Sequence, residues 1–366
     1  MFRRHFFIRS AALGLATTAL SGLKPGFAQT TMAPSAVGSP AGIDAVEAIK
    51  ALRIPTGAYA GGYEIAPNGL LNWYFTNLGL ISVVQYMSSA DLDKYIRVYL
   101  DLYISKMDGN SAIQDVQFPF GRSNPAVFTL VPPDSDDSYA ATTLTLAARY
   151  LKASQNWAWW DKNKLRLKDM AYYNIAVSVK SNGLTSVFQA FRKHPNNSGY
   201  LMDNCEVYRG LRDFAGLLKE RGEPLEAAYY DQFATNIADS MKQLFMTGSS
   251  AFKMADLSTA TDKSFYPGTT CQVFPQVFNV AELAPYYDRA WNFFSANSPR
   301  WETGALDPYP WAVLGFAAAK RGNTTIAKAQ LASIEKTFAT NRALVTINEL
   351  GFYQRAKSLL SGRADV

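Results

Sequence analysis

Carboxylates and large aromatic side chains fall together at four separated places in this chain. Gly61-Gly62-Tyr63-Glu64 is the first, and Pro133-Asp134-Ser135-Asp136-Asp137-Ser138-Tyr139 is the second. The third is Met202-Asp203-Asn204-Cys205-Glu206-Val207-Tyr208-Arg209, and the fourth runs from Trp301-Glu302 to Asp307-Pro308-Tyr309-Pro310-Trp311. Paired carboxyl groups suit the cleavage of a glycosidic bond. One, protonated, donates to the leaving oxygen while the other, ionised, activates water or attacks carbon. Burial beside rings favours the protonated form of the first, and hydrogen bonds with solvent keep the second charged. Flat Trp and Tyr faces fit the apolar side of a sugar ring, and the chain carries 7 Trp, 20 Tyr and 22 Phe, more than a core alone would absorb. The expected acid is Glu64 or Glu206 and the expected base Asp136 or Asp137. Trp73, Tyr139, Asp203, Tyr208, Asp307 and Trp311 are expected to shape the substrate-binding subsites.

Structural duties compete for the same residues. Asp134, Ser135 and Asp136 are good N-cap residues, and first-turn acids are favoured by the helix dipole. Asp203 as a cap with Glu206 three residues later forms a capping-box-like pair. Trp73, Tyr139 and Trp311 are equally suited to a core.

Other chemistries have little material. Beyond residue 28 the only histidine is His194, in the polar stretch Arg192-Lys193-His194-Pro195-Asn196-Asn197, so a histidine metal site or a Ser-His-Asp triad is not expected. Asp134, Asp136 and Ser138 begin like a calcium loop, but Tyr139 stands where the turn needs Gly and Thr145 where it needs Glu. No phosphate-binding glycine pattern follows a strand, and no cofactor or metal is expected. Cys205 and Cys271 make neither a disulfide scaffold nor a zinc site; one bridge and two buried thiols fit the sequence equally well. The net charge of +6 is concentrated in Arg3, Arg4, Arg9 and Lys24; the rest of the chain holds 32 of the 36 bases against all 30 acids. These are interspersed, so nucleic acid is not an expected partner.

The elements that must position the acids are helices in pairs. Leu70, Leu71, Trp73, Tyr74, Phe75, Leu78, Leu80, Ile81, Val83 and Val84 predict a helix apolar nearly all round, hence buried on both sides. From Ser89 the next helix has Leu92, Tyr95, Ile96, Tyr99 and Tyr103 on one stripe and charges opposite, the pattern of an outer helix. The pairing recurs from near Asp134 to Val179, and from Leu201 through the Arg221-Gly222 stop and Pro224 to Phe245. It recurs again over Thr270 to Phe294 and over Pro308 to Phe338, and Gly351 to Leu360 with Ile43 to Leu52 predicts a sixth pair between the chain ends. Inner helices beginning near 69, 134, 200 and 266 imply stacked units of roughly 65 residues. Six such hairpins make an all-α (α/α)6 toroid with short β segments, such as Ala126 to Val131, in the loops at one end. The acids then ring the funnel where the inner helices start.

These residues resemble the six-hairpin glycosidase superfamily, in particular the cellulase and chitosanase type of glycoside hydrolase. The resemblance spans about residues 43–361. In that family a Glu just before the first inner helix resembles a general acid, which falls on Glu64. An Asp-x-Asp on the second inner helix matches Asp134-Ser135-Asp136, and a later inner-helix carboxylate serves as base. The glycine-rich Ser-Glu-Gly-like setting of the family's acid is replaced here by Tyr63-Glu64-Ile65.

The opening 28 residues read as an export signal: a basic start with Arg3-Arg4 before His5-Phe6-Phe7, similar to a twin-arginine signal, an apolar stretch from Ala11 to Leu23, and a small-x-small site at Gly26-Phe27-Ala28. That stretch is shorter than the ~20 residues a membrane span needs, so no stable span is expected after cleavage. Residues 29–42 read as a disordered tail, and 43–366 as a single catalytic domain, periplasmic or secreted and monomeric, acting on a carbohydrate. Two rival roles fit the same fold. One is a polysaccharide lyase, in which Tyr208 would abstract the proton beside a uronic acid carboxylate and Arg209 would neutralise that carboxylate. The other is a non-catalytic glycan-binding component of exopolysaccharide export.

Overall fold

The computed structural model describes residues 42–121 and 124–365. The expected leader and all of the expected tail except Gly42 lie outside the described residues. Twelve helices carry the architecture: α1 Ala45–Lys50, α2 Trp73–Val83, α3 Val98–Lys106, α4 Asp137–Ser154, α5 Trp157–Met170, α6 Leu201–Glu220, α7 Pro224–Lys242, α8 Phe274–Val277, α9 Tyr287–Asn297, α10 Ala312–Lys320, α11 Thr324–Thr340 and α12 Ile347–Leu360. Shorter helical turns extend α3, α8 and α9 at their starts, over Ser89–Asp91 with Leu92–Arg97, Thr270–Val273 and Ala281–Tyr286. In the order α2, α4, α6, α8, α10, α12, each even-numbered helix packs on the next, and α12 packs back on α2. The result is a closed (α/α)6 toroid. The chain ends meet as expected, with α1 lying on α12 and the Ile43 amide donating to the Tyr353 hydroxyl at 3.1 Å.

The direction of each inner helix follows from how its hairpin turns. Only Arg221 to Glu223 separate α6 from α7; Gly222 takes the left-handed conformation (φ 78°) that closes a helix, and Pro224 opens the next one. Connections this short return the chain antiparallel, so inner helices all run one way and their N-termini share one end. Inner helices are buried almost all round, as in α2, where every residue but Phe75 is buried. Two adjoining inner helices meet backbone to backbone. An added Cβ at Gly79 would stand 2.8 Å from the Ile347 carbonyl oxygen, and one at Gly351 would stand 2.9 Å from the Gly79 Cα.

The structure moves three expected boundaries. The first inner helix starts at Trp73 rather than Gly69, because Asn72 caps it by accepting from the Phe75 amide (2.8 Å) and Leu71 is drawn into a bridge with Val116. α4 starts at Asp137, so Asp134 is not its cap, and the N-cap residue Asp136 makes no side-chain capping bond. α6 is led by Tyr200, so Asp203 and Glu206 lie inside the helix and form no capping box. Short antiparallel ladders occupy the loops: β1 Asp115–Gln117 with β2 Thr129–Val131, and β3 Phe245–Met246 with β4 Ala251–Phe252. Cys205 and Cys271 are free, buried thiols, which settles the open question of their pairing. Among the described residues no helix is long and apolar enough to cross a membrane.

Candidate active site

The shared N-terminal end of the inner helices gathers buried acids. Glu64, Asp115, Asp136, Asp137, Asp203, Glu206 and Glu349 are all at least nine-tenths enclosed. Asp137, Asp203, Glu206 and Glu349 stand on the first two turns of α4, α6 and α12, where the positive end of the helix dipole faces them.

Glu206 points across the toroid. Its Oε1 accepts the Tyr74 hydroxyl at 2.5 Å, which ties the start of α2 to the start of α6. Tyr74 stacks on Tyr139, with ring centroids 5.9 Å apart at 20°. The Tyr139 hydroxyl donates to Asp115 Oδ2 (2.8 Å) and accepts from Asn72 Nδ2 (2.6 Å) and from the Asp134 amide (3.2 Å). Asn72 Nδ2 also donates to Asp115 Oδ2 (2.7 Å), and the Trp73 amide to Asp115 Oδ1 (3.2 Å). One chain of contacts thus runs Asp115, Asn72, Tyr139, Tyr74, Glu206 through the mouth of the toroid, hydrogen-bonded except where the rings of Tyr139 and Tyr74 stack. Burial pushes the Asp115 carboxyl up to about 8 against the pull of these donors.

Asp137 sits beside this chain. Its Oδ1 accepts the Ser138 amide (2.8 Å) and its Oδ2 accepts the Thr185 hydroxyl (2.9 Å), which also reaches Asn204 Oδ1 (3.1 Å) on α6. Asp136 turns the other way. Both its oxygens are held by Arg192 Nε (2.8 and 2.7 Å), Oδ1 also by Arg192 Nη2 (2.6 Å), and Oδ2 by the Gln189 amide (3.0 Å). This ion pair fastens the segment before α6 to the start of α4. Glu64 Oε2 accepts the Asn68 amide (3.2 Å) in the loop before α2, and Glu349 accepts the Ala312 amide at the start of α10.

The expected subsite aromatics separate into two groups. Trp73 is a core residue, enclosed by Tyr59, Tyr99 and Tyr103, with its indole N–H on the Gln114 carbonyl (2.7 Å). Tyr139 is likewise enclosed. Tyr208 is buried under the Arg212 guanidinium and lies about 200° around α6 from Glu206. Asp307 closes a turn by accepting the Tyr309 amide (2.8 Å). Trp311 stays with the mouth: it stacks on Tyr266 (4.6 Å, 29°), meets Tyr309 edge-on, has a left-handed backbone (φ 52°), and its enclosed indole N–H has no hydrogen-bond partner among the described residues. Strain and an unpaired donor at one residue are features that collect at ligand sites.

Sequence reasoning missed Asn72, Tyr74, Asp115, Arg192, Tyr266 and Glu349. Two carried a readable signal: Asn72 immediately precedes an apolar helical run, and Thr346-Ile347-Asn348-Glu349 has capping-box spacing. Asp115 carried none, since its role comes from a hairpin that docks on two helices far away in sequence.

No family model matches this chain, and no curated protein matches it in sequence. Solved structures do share its fold. A glycosidase variant superposes with a TM-score of 0.58 at 12% identity, over 87% of this chain and 96% of that one. A variant glycosidase in complex with glucose gives 0.54 at 12% identity over the same shares. A rhamnosidase from Klebsiella oxytoca with rhamnose bound gives 0.54 at 13% identity, over 78% of this chain; the match spans about half of the rhamnosidase, 53%. At identities this low the likeness shows the fold alone.

Proposed function

We propose that the chain is an exported glycoside hydrolase that cleaves an oligosaccharide or polysaccharide with two carboxylates. The observation that carries this reading is the convergence of Glu206, Asp137 and Asp203 from two neighbouring inner helices on the one end of the toroid that also holds Trp311 and Tyr266. The glycosidase, glucose and rhamnose named for the structural neighbours support a saccharide as the substrate. Glu206 takes the role of acid, with Tyr74 fixing one of its oxygens. Asp137 takes the role of base, oriented by the Ser138 amide and the Thr185 hydroxyl. Glu64 stays as the alternative acid on the loop before α2, and the Trp311 and Tyr266 faces offer a platform for a sugar ring. The basic, apolar and small-residue pattern of residues 1–28 supports export with cleavage after Ala28, for which the check is an intact mass beginning at Gln29.

The test is turnover on a panel of bacterial and plant polysaccharides, following reducing ends and ultraviolet absorbance together. Glu206→Gln and Asp137→Asn should each lower kcat by about 10²- to 10⁴-fold while the protein stays folded. Ultraviolet absorbance from an unsaturated product would move the assignment to a lyase. Binding without turnover, unchanged by either substitution, would leave the non-catalytic role.

A further inference from the structure

The chain entering α10 is held against its own preference. Trp311 has φ 52° and ψ 51°, the left-handed conformation that a bulky side chain rarely adopts. Two neighbouring helices hold it there. From α12, Glu349 takes the Ala312 amide, while the Thr346 hydroxyl (3.0 Å) and Asn348 Nδ2 (3.0 Å) bond the Tyr309 hydroxyl. From the outer helix α11, Gln330 reaches inward, and its Nε2 donates to the carbonyl oxygens of both Pro310 (2.9 Å) and Trp311 (2.8 Å).

Gln330 is an expensive residue for that duty. It is 1% exposed, and its Oε1 has no hydrogen bond among the described residues. It lies so close over Gly315 that an added Cβ there would stand 1.9 Å from that oxygen. An orphaned buried acceptor costs stability that an apolar side chain of similar size would keep, so packing alone does not account for Gln330. Strain at Trp311 and an orphan at Gln330 are two costs at one place, and such costs collect where a side chain must be aimed. Here the aimed group is the indole. It lies against the Tyr266 ring (4.6 Å, 29°), with Tyr309 (5.2 Å, 84°) and Phe265 (6.0 Å, 86°) edge-on around it. Trp311 itself is enclosed, whereas Tyr266 is only half-buried.

We infer that Gln330 is a positioning residue for sugar binding: through the Trp311 backbone it fixes the indole, and the indole fixes Tyr266 as the surface on which an uncharged pyranose stacks. This rests on the mouth being a saccharide site. Gln330 itself touches no substrate.

The 7 indole N–H resonances of the ¹⁵N-labelled full chain report the first link without any substrate. The Trp311 signal, identified by its loss in Trp311→Phe, should move in Gln330→Met, and likewise in Gly315→Ala, whose methyl displaces the Gln330 carboxamide. A Trp311 signal that stays in place in both variants overturns the inference. Glucose is the probe for the second link. It should shift the Trp311 signal of the unaltered protein, and Gln330→Met should weaken its apparent affinity about 10-fold, the order of one aromatic contact. Tyr266→Ala should weaken it equally and the double variant no further, because the two residues act in series. Additive losses, a glucose affinity untouched by Gln330→Met, or no glucose shift in the unaltered protein each overturn the inference. On a substrate that is turned over, the loss in Gln330→Met should fall on KM rather than kcat. Should Gln330→Met fail to fold, Gly315→Ala carries the same comparisons. If no polysaccharide is turned over while glucose binding follows this pattern, the hydrolase reading fails and the positioning role stands.

Discussion

At the scale of single residues, the mouth of the toroid separates acids that look alike in sequence by what surrounds them. Asp136 and Asp137 are adjacent, yet one is committed to Arg192 and the other accepts the Thr185 hydroxyl. Removing one partner of a buried ion pair strands the other charge, so Asp136→Asn should lower stability by roughly 3 kcal/mol, read from the urea midpoint at constant m. A folded Asp136→Asn protein that lost more than a hundredfold in kcat would return Asp136 to the reaction. Asp115 behaves differently. Its folded pKa lies near 8, far above its unfolded value near 4, so its contribution to stability is complete below about pH 4 and is lost as pH rises toward 8. Asp115→Asn mimics the protonated acid and should flatten that decline, which amounts to a few kcal/mol at order of magnitude and is measurable as urea melts at pH 4, 6 and 8. An unchanged slope would mean that Asp115 is ionised in the folded protein.

At the scale of elements, six inner helices pointing one way give the axis a polarity. Acids occupy the first turns of α4, α6 and α12, and Lys320 closes α10 at its C-terminal end, the arrangement that helix dipoles favour. The period of the pattern made these helices readable. An all-apolar run such as Trp73 to Val83 has to be buried on both sides, and the striped run after it has to lie outside. The boundaries were less readable, since Leu71 and Asp134 were claimed by long-range partners, a β bridge and the Tyr139 hydroxyl. Contact between inner helices depends on residues that no hydrophobic pattern flags. Gly351→Ala would drive a methyl into the Gly79 backbone and Gly210→Ala into the Ala141 backbone, whose carbonyl oxygen would lie 2.5 Å away. Each should cost about 1–3 kcal/mol by thermal or urea unfolding, whereas Gly216→Ala, with open space around it, should be neutral or stabilising.

At the scale of the whole molecule, α12 and α1 close the ring between the two ends of the chain, so each inner helix has two inner neighbours and no terminal repeat is left uncovered. An open helical array unfolds from its ends in steps, while a closed one loses its lateral packing together. The protein should therefore show one calorimetric transition, and deleting residues 347–365 should broaden it or split it; a full-length protein that melts in separated stages would contradict this. Sequence by itself determined the paired helices, their inner or outer place, the sixth pair from the chain ends and the end at which acids collect, because all of these follow from local periodicity and from turn residues. Only the tertiary structure decided which acids share the mouth, that Asp136 belongs to Arg192, that Tyr208 lies under Arg212, that the two thiols stay apart and that burial raises the Asp115 pKa. Those outcomes depend on which side chain meets which across tens to hundreds of residues, and on the water excluded when they meet.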